Sequence, residues 1–300
     1  SRPMDPRVLI TGIQGFTGRF VAQELAAHGW EVWGVGHQPG PDDPRYRQLD
    51  INDADRVHRI VQELRPRVVV HLAGIAFVGH GSPEAFYRVN LVGTRNLLAA
   101  LAALPARPDC VVLASSANIY GNAAGGLLPE DRPPNPVNDY AVSKLAMEFM
   151  ARLWMDRLPI VIARPFNYTG IGQSEDFLLP KIVAHFRRGA DVIELGNLDV
   201  ARDFSDVRSV AMIYRRLVET CPAGEAVNIC SGRTKSLAEV LEMARQITGR
   251  VIRVRVNPAF VRANEVKTLA GDPSKLRSLI GDWPHIPLAD TLRWMLESPS

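Results

Sequence analysis

A glycine-rich segment near the start of the chain constrains the fold most strongly. An apolar strand pattern, Val8–Ile10, leads into Gly12, Gly15 and Gly18, which are spaced three residues apart. In such a turn the first glycine permits a tight bend, the second lets bare backbone approach a ligand, and the third lets the next helix pack closely. Because a helix N-terminus attracts anions, the segment predicts a cradle for a pyrophosphate.

The residues around this turn supply the context that the motif requires. Residues 16–28 place apolar side chains at helical spacing, and Glu31–Val35 has the composition of a second strand. Strand, glycine turn, helix and strand form the βαβ unit of dinucleotide-binding domains. The sequence therefore predicts a dinucleotide site.

Composition and charge narrow the class of protein further. The chain has 300 residues, 46% of them hydrophobic, which suffices for one large domain or two unequal lobes. The formal net charge is +3 and the basic residues are scattered, so we expect no nucleic-acid partner. Three cysteines without metal-ligand spacing indicate a reducing compartment and no structural metal. With no long apolar stretch and no leader pattern, we expect a cytoplasmic protein without a membrane partner.

Strand and helix patterns alternate along the first part of the chain. The strand patterns are Val8–Ile10, Val32–Val35, Val68–Leu72, Val111–Ser115 and Val161–Ala163, and the helical patterns cover residues 16–28, 53–64, 84–103 and 138–156. This alternation predicts an α/β fold with a doubly wound parallel Rossmann sheet. We expect residues 4–167, with about 206–230, to form this domain, and residues 168–205 and 231–300 to form a smaller, interleaved α/β lobe for the substrate.

A serine, a tyrosine and a lysine are candidates for catalysis. Tyr140 and Lys144 are four residues apart in a predicted helix and therefore share one face. An ammonium group beside a phenol favours the phenolate, so we expect Lys144 to bring the Tyr140 pKa toward neutrality. Ser116 follows a buried strand, at the edge of the sheet where open α/β proteins bind ligands. The three residues predict acid/base chemistry on a carbonyl group.

With these residues in this order, the chain resembles the extended short-chain dehydrogenase/reductase family over essentially its whole length. The resemblance implies a nicotinamide cofactor and a catalytic group of Ser116, Tyr140 and Lys144. The residues it implies at the cofactor are Gly12, Gly15, Phe16, Thr17, Gly18, His37, Asp50, Ile51, Leu72, Ala73, Gly74, Asn90, Tyr140 and Lys144. Asp50 and Asn90 also fit ordinary turn and cap roles.

The residues after the second strand bear on the choice of cofactor. NAD sites place an acidic residue there for the ribose hydroxyls, whereas this chain has Gly36 and His37. His37 and Arg45 are candidates to face a 2′-phosphate. We therefore expect NADP(H) to be preferred over NAD(H), with use of both left open.

The second part of the chain resembles the branch of the family that acts on GDP-linked sugars. The segments that carry this resemblance are Glu194–Phe204, Arg262–Val266 and Gly271–Lys275. The residues implied at the substrate are Phe77, Val78, Ser116, Asn118, Asn167, Lys181, Arg202, Arg262 and Glu265. Arginines suit the diphosphate, and a carboxylate suits hydrogen-bond donors of guanine or ribose.

Asn118 separates the reactions known in this branch. The resemblance implies a glutamate at this position in 4,6-dehydratases and a cysteine in epimerase-reductases, whereas an amide does not titrate. The chain is therefore expected to reduce the C4 keto group of a GDP-4-keto-6-deoxy sugar, giving GDP-D-rhamnose or GDP-6-deoxy-D-talose.

Three alternative functions stay open beside the reductase, and the chain is expected to form a homodimer. A GDP-mannose 4,6-dehydratase that uses Glu130 or Asp131 as its acid stays open, as does a nucleotide-sugar 4-epimerase that retains NAD. A non-catalytic cofactor-sensing module is the third, although it would not need Ser116, Tyr140 and Lys144. The resemblance also implies a homodimer through a four-helix bundle, to which each subunit contributes its helices near 84–103 and 138–154.

Overall fold

The computed structural model describes residues 5–74, 82–123, 126–261 and 267–299. The predicted substrate residues Phe77, Val78, Arg262 and Glu265 lie outside the described residues. The strands are β1 (Arg7–Thr11), β2 (Glu31–Gly36), β3 (Tyr46–Gln48), β4 (Val68–His71), β5 (Cys110–Ala114), β6 (Leu127–Leu128), β7 (Ile160–Pro165), β8 (Tyr168–Thr169), β9 (Val192–Leu195), β10 (Ala201–Arg202), β11 (Ser205–Asp206), β12 (Ala226–Ile229), β13 (Lys235–Ser236), β14 (Arg253–Val256) and β15 (Thr268–Gly271).

Of the four predicted helical patterns, those at residues 16–28, 53–64 and 138–156 form regular helices, whereas residues 84–103 differ. The helices are α1 (Phe16–Ala27), α2 (Ala54–Leu64), α3 (Pro83–Tyr87), α4 (Thr94–Ala102), α5 (Asp139–Arg152), α6 (Leu178–Arg187), α7 (Val207–Thr220), α8 (Leu237–Thr248), α9 (Ser274–Ile280) and α10 (Leu288–Glu297), with short 3₁₀ helices at Ala117–Tyr120 and Pro258–Phe260. In the described part of the chain, no helix is both long and apolar enough to cross a membrane.

A seven-stranded sheet forms the centre of the molecule. Its strand order is β12-β7-β5-β4-β1-β2-β3, and every pairing in it is parallel. The chain moves outward from β1 in one direction through β2 and β3, and in the other through β4, β5 and β7. This order confirms the predicted doubly wound sheet and leaves a crevice at the carboxyl ends of β1 and β4, where such sheets bind ligands.

Both faces of the sheet are covered by helices, because its strands are apolar on both sides. Leu9 and Val69 join a core cluster with α2, α4 and α5. The alternate residues Ile10 and Val70 join a second cluster with α1, α7 and α9. This alternation is the period of two that a pleated strand imposes.

The helix predicted at residues 84–103 is interrupted in the structure. Residues 84–103 were expected to form one regular helix, whereas the structure has a π-helical segment, Arg88–Gly93, between α3 and α4. Gly93 packs so closely that a Cβ atom there would lie 2.5 Å from Ile51 Cγ2. A π-helical turn holds one residue more than an α-helical turn and is frequent at functional sites. Here it carries the buried Asn90.

The chain after residue 167 builds a third core and then returns to the sheet. Leu179, Ile182, Val240 and Leu292 belong to a cluster formed by α6, α8, α10, β9 and β14. Between these elements, β12 pairs with β7 of the large sheet. The strands β10 and β15 pair in parallel in a separate small sheet, which also holds β6 and β13.

Candidate active site

The glycine turn between β1 and α1 has the close backbone packing that the motif predicts. Gly12 has a φ of +67°, and a Cβ atom there would lie 2.9 Å from the backbone nitrogen of Ala73. A Cβ atom at Gly18 would lie 2.8 Å from Ile13 Cα. Helix α1 begins after Gly15 without a side-chain cap. The N–H groups of Gly12, Ile13 and Gly15 donate to backbone carbonyl oxygens. The uncapped first turn of α1, with the open backbone at the glycines, therefore fits the pyrophosphate of a dinucleotide.

A buried threonine and a histidine tie this turn to the end of β4. The Thr11 hydroxyl oxygen accepts hydrogen bonds from the backbone N–H groups of Leu72 (3.0 Å) and Ala73 (2.9 Å). Its proton is therefore donated to His71 Nδ1, 2.7 Å away. His71 then carries its own proton on Nε2, which is 2.8 Å from Thr94 Oγ1. Burial and then the Lys144 charge lower the His71 pKa to about 3, so this ring stays neutral.

The same chain of hydrogen bonds continues to the helix that carries Tyr140. Thr94 Oγ1 donates to the Asn90 carbonyl oxygen (2.9 Å), and Asn90 Nδ2 donates to Ser143 Oγ (3.1 Å). Ser143 Oγ donates in turn to the Tyr140 carbonyl oxygen (2.7 Å). A Cβ atom at Gly74 would lie 2.9 Å from Asn90 Oδ1 and 3.4 Å from Lys144 Nζ. The end of β4, the π-helical segment and α5 therefore meet at one place.

The structure brings Ser116, Tyr140 and Lys144 together. The Ser116 hydroxyl is close enough to the Tyr140 phenol to lower its pKa. Lys144 Nζ donates to the Ala114 carbonyl oxygen (2.9 Å) and lies 5.9 Å from the centre of the Tyr140 ring. The Phe86 ring packs edge-on against the Tyr140 ring at 5.7 Å. These contacts hold the three groups at the carboxyl end of β5.

The pKa values of the tyrosine and lysine are set mainly by burial. Burial raises the Tyr140 pKa to about 12, against the opposing effect of the Ser116 hydrogen bond. The expectation that Lys144 brings this pKa toward neutrality is wrong for this structure, because burial outweighs the favourable contacts. Burial also lowers the Lys144 pKa to about 8, and the Glu148 charge opposes that shift. Tyr140 therefore holds its proton at neutral pH, as a proton donor must.

A buried ion pair supports this group and was not predicted. Arg164 Nη2 lies 2.6 Å from Glu148 Oε1, and the two side chains are 6% and 0% exposed. Glu148 also accepts from Ser115 Oγ at 2.5 Å, and Arg164 Nη1 donates to the Tyr120 hydroxyl at 3.0 Å. Two signals in the sequence could have indicated the pair. Glu148 is one helical turn beyond Lys144, and an arginine inside an apolar strand requires a partner.

Tyr168 is a further residue of the site that the sequence did not predict. Its hydroxyl lies 2.5 Å from Thr17 Oγ1, and its ring stacks on Phe16 at 6.1 Å. Its phenol also contributes to raising the Tyr140 pKa. An aromatic residue directly after the strand end at Asn167 was the available signal. Tyr168 links the first turn of α1 to the Tyr140 group.

The remaining predicted cofactor residues have local roles in the structure. His37 is exposed, and its carbonyl oxygen accepts from Gln48 Nε2 at 3.1 Å. Asp50 Oδ1 accepts from the Asn52 backbone nitrogen at 2.9 Å, an ordinary side-chain turn. Ile51 is buried against Gly93.

The predicted substrate residues outside the Ser116 group lie on later elements. Asn167 is exposed after β7, and its carbonyl oxygen accepts from the Ser205 backbone nitrogen at 2.8 Å. Lys181 Nζ donates to the Glu194 carbonyl oxygen (2.8 Å) and lies 4.8 Å from the centre of the Phe260 ring. Arg202 Nη1 donates to the Ala201 carbonyl oxygen at 2.8 Å. These bonds tie Lys181 to β9 and Arg202 to β10, rather than to α5.

The fold and the site together define the extended short-chain dehydrogenase/reductase class, in which a serine, a tyrosine and a lysine adjoin a dinucleotide cradle. The model of the GDP-mannose 4,6 dehydratase family matches residues 9–295, so the chain belongs to that family. Two relatives cover nearly the whole chain. The GDP-6-deoxy-D-talose 4-dehydrogenase of Aggregatibacter actinomycetemcomitans is 34% identical over 92% of both chains. The GDP-6-deoxy-D-mannose reductase of Pseudomonas aeruginosa is 34% identical over 98% of this chain and 97% of its own.

Solved structures agree with this membership. RMD from Pseudomonas aeruginosa, solved in complex with NADPH, is 32% identical, superposes with a TM-score of 0.85 and covers 97% of both chains. A Burkholderia cenocepacia J2315 protein, described provisionally as an epimerase, is 54% identical with a TM-score of 0.93. It covers 99% of this chain and 98% of its own.

Proposed function

We propose that this chain is an NAD(P)H-dependent reductase of the C4 keto group of a GDP-4-keto-6-deoxy sugar. The product is then GDP-D-rhamnose or GDP-6-deoxy-D-talose, which differ at C4. One observation carries the proposal: Lys144 Nζ lies 5.9 Å from the centre of the Tyr140 ring, the Ser116 hydroxyl acts on the Tyr140 phenol, and the polar side chain bonded to Ser116 is the amide of Asn118. The names of the two 34% identical relatives support the same reaction and substrate class.

The proposed mechanism assigns one task to each residue of the group. The cradle at Gly12, Gly15 and Gly18 would hold the cofactor, which supplies a hydride when bound in its reduced form. Tyr140 keeps its proton at neutral pH and donates it to the C4 oxygen as negative charge develops there. Ser116 donates a hydrogen bond to the same oxygen. Lys144, as an ammonium group, lowers the cost of forming the Tyr140 phenolate.

One of the two acids proposed for the dehydratase alternative is engaged in structural contacts. Glu130 Oε2 accepts from the Asn228 backbone nitrogen at 2.9 Å, and the Glu130 carbonyl oxygen accepts from Arg164 Nη1 at 3.0 Å. Glu130 is therefore occupied in joining its loop to β12 and β7. Asp131 is exposed. These contacts favour reduction without dehydration.

A nucleotide-sugar 4-epimerase is the second candidate. The provisional description of the 54% identical structure favours it. A 4-epimerase uses the same tyrosine and lysine chemistry but returns the hydride to the sugar, so it consumes no cofactor. Net oxidation of the cofactor therefore distinguishes the two functions.

The deciding assay follows oxidation of NADPH and of NADH with GDP-4-keto-6-deoxymannose generated in situ, beside a control with GDP-mannose alone. We expect turnover with the keto sugar only, and NMR of the product to assign C4. Keto-sugar formation from GDP-mannose without net cofactor use would identify a dehydratase instead. Interconversion of two GDP-hexoses without net cofactor use would identify an epimerase.

We also propose that NADP(H) is preferred over NAD(H). In support, the position after β2 is His37 rather than an acid, and Arg19 and Arg45 line a cavity of about 480 Å³. Asp43 also lines this cavity, where its Oδ1 accepts from the Arg45 backbone nitrogen at 2.9 Å. Arg45→Ala is expected to raise the KM for NADPH about tenfold and to leave that for NADH unchanged, because only NADPH has the 2′-phosphate. Arg47→Ala, which removes the partner of Glu63, is the control. Equal loss with both cofactors would contradict the preference.

The division of labour along the chain belongs to the same proposal. Residues 4–167 with about 206–230 bind the cofactor, and residues 168–205 and 231–300 bind the nucleotide sugar, with Asn167, Lys181 and Arg202 among its contacts. The third core cluster, which lies in the second set of residues, supports this division. Three free thiols suit a reducing compartment, which supports a cytoplasmic enzyme.

We further propose a homodimer through a four-helix bundle. Val142, Phe149 and Leu153 recur at helical spacing along α5 and its C-terminal end, and they are 38%, 55% and 72% exposed. Val92 of the π-helical segment is 47% exposed. Exposed apolar stripes of this kind mark interaction surfaces. Phe149→Glu is expected to yield a monomer by analytical ultracentrifugation, whereas Val256→Glu, at an exposed position on β14, leaves the dimer intact; a parent monomer would refute the proposal.

A further inference from the structure

The hydroxyl of Ser116 has a polarity that its neighbours fix. Ser116 is the N-cap of the short helix Ala117–Tyr120, and its Oγ accepts from the Asn118 backbone nitrogen at 3.0 Å. The Asn118 side chain adds a second hydrogen bond, from Nδ2 to the same oxygen, at 2.9 Å. A hydroxyl oxygen has two acceptor positions and one proton. Both acceptor positions of Ser116 are therefore filled by one residue.

The only hydrogen-bonding capacity left to Ser116 is donation of its proton. Ser116 is 5% exposed, so water does not readily offer it an alternative partner. The Ser116 side chain lowers the Tyr140 pKa, which is the effect of a donor to the phenol oxygen. The adjacent Ser115 shows the contrasting case, because its proton is donated to the Glu148 carboxylate and is not available to a ligand.

We propose that Asn118 is a positioning residue that makes Ser116 an obligate hydrogen-bond donor, toward the Tyr140 oxygen in the free protein and toward the C4 oxygen of a bound substrate. This inference rests on the proposed reductase function and extends it. Asn118 then does more than replace a titratable residue. A carboxylate at this position could not donate to Ser116 Oγ and would accept the Ser116 proton, which would remove the donor from the reacting oxygen.

Within the described residues, the charged and titratable groups around this pair come from three further elements. Helix α5 supplies Tyr140 and Lys144, and β8 supplies Tyr168. Helix α7 supplies Tyr214, whose pKa is raised by burial and by Tyr168 and Tyr140. Lys144 is bonded to the Ala114 carbonyl oxygen, on the strand end that leads to Ser116.

Two substitutions separate the polarity of Asn118 from its bulk. Asn118→Asp keeps the size and replaces the amide donor by an acceptor, whereas Asn118→Ala removes the amide and keeps the backbone N–H. For Asn118→Asp we expect kcat at neutral pH to fall about 10²-fold, the scale of losing one donor to a developing oxyanion, with little change in KM. The loss should diminish as the pH falls, because the introduced carboxyl group gains an O–H donor when it is protonated. Asn118→Ala should lose up to about tenfold without this pH dependence, since one neutral hydrogen bond is removed.

A third variant controls for the added negative charge. Asn138 caps α5 with its side-chain oxygen, which accepts from the Ala141 backbone nitrogen at 2.8 Å. Asn138→Asp places a carboxylate two residues from Tyr140 but keeps that acceptor role, so we expect kcat to stay within about twofold of the parent. If Asn138→Asp and Asn118→Asp lose the same activity, or if Asn118→Asp loses none, the proposal is overturned.

Titration of Tyr140 tests the polarity of Ser116 without any turnover. Each protein is compared with its Tyr140→Phe counterpart by the absorbance of the ionised phenol as the pH is raised. The Tyr140 pKa is expected to rise in Asn118→Ala and further in Asn118→Asp, and an unchanged pKa in both would overturn the proposal. If the parent does not reduce the keto sugar, the proposed function fails, and this titration still decides the role of Asn118.

Discussion

Two regions of the molecule differ in how deeply their ion pairs are buried. In the reaction region, formed by Ser116, Tyr140 and Lys144 with their supporting side chains, the Arg164–Glu148 pair is 2.6 Å apart, with side chains 6% and 0% exposed. The second is the region that we propose for the nucleotide, called the nucleotide region, which is formed by β9, β10, β14 and the side chains that project from them or pack against them. There, Arg255 and Glu194 are 3.7 Å apart, with side chains 66% and 46% exposed.

This difference shows which part of the fold holds its side chains in a fixed arrangement. Buried hydrogen-bonded pairs hold one arrangement, whereas exposed pairs are screened and exchange readily with water. Proton transfer tolerates little misplacement, so a rigid reaction region is what the proposed chemistry needs. A solvated nucleotide region can reorganise around a charged ligand. Substitutions in the reaction region should therefore affect kcat and stability, and substitutions in the nucleotide region should affect KM.

The largest expected effect is on the proton donor itself. Tyr140→Phe removes the proton that the proposed mechanism delivers to the C4 oxygen, so kcat should fall about 10²- to 10⁴-fold while the affinity for NADPH is unchanged. The assay is steady-state reduction of the keto sugar, with NADPH binding followed by fluorescence. Tyr87→Phe is the control, because this exposed phenol donates to Asp139 near the start of the same helix. A Tyr140→Phe enzyme with more than a tenth of the parent activity would refute the assignment.

The next effect is on the stability of the reaction region. Glu148→Gln leaves the Arg164 charge buried without its partner, which should cost about 3–5 kcal/mol of unfolding free energy. Glu242→Gln is a matched control, because Glu242 and Arg245 are 2.5 Å apart but lie on the surface of α8. Urea unfolding of the two variants measures the difference. Equal stability in both would mean that burial does not distinguish the two pairs.

The pH dependence of reduction should report the buried lysine. Because burial lowers the Lys144 pKa to about 8, the ammonium is lost as the pH rises through that value, and kcat should fall with it. Lys144→Arg keeps its charge over this range and should lack that basic limb, although its rate is lower throughout. The folded pKa lies below the unfolded value of about 10.5, so burial of the ammonium destabilises the fold below pH 8. That cost is relieved as the pH rises from about 8 to 10.5.

The sequence was most informative where a local pattern decides the structure. Alternating apolar strands and helices predicted the sheet, and the glycine spacing predicted the turn at Gly12. A spacing of four placed Tyr140 and Lys144 on one helix face before any contact was known. The 34% identical relatives and the family model confirm the class of enzyme that these residues indicated.

Features that depend on tertiary contacts were not predictable in the same way. The pairing of Glu148 with Arg164 joins a helix to a strand, and neither segment alone reveals it. The π-helical segment at Arg88–Gly93 shifts the helix faces by one residue. A search for apolar residues at a period of 3.6 does not detect such a shift. Strands of two residues, such as β10 and β13, carry too little pattern to recognise. The Tyr140 pKa depended on burial, which the spacing to Lys144 could not show.

The smallest expected effect is on substrate affinity and concerns an arginine in the nucleotide region. Arg202 is partly exposed on β10, and a diphosphate is the ligand that we propose for it. Arg202→Ala should raise the KM for the GDP-sugar about tenfold with kcat unchanged, because an exposed charge-assisted contact binds the ground state and the transition state alike. Arg293→Ala, on the surface of α10, is the control for loss of a positive charge. Added salt should reduce the difference between Arg202→Ala and the parent, since exposed charges are screened. A fall in kcat instead would place Arg202 in the reaction region and remove the distinction between the two.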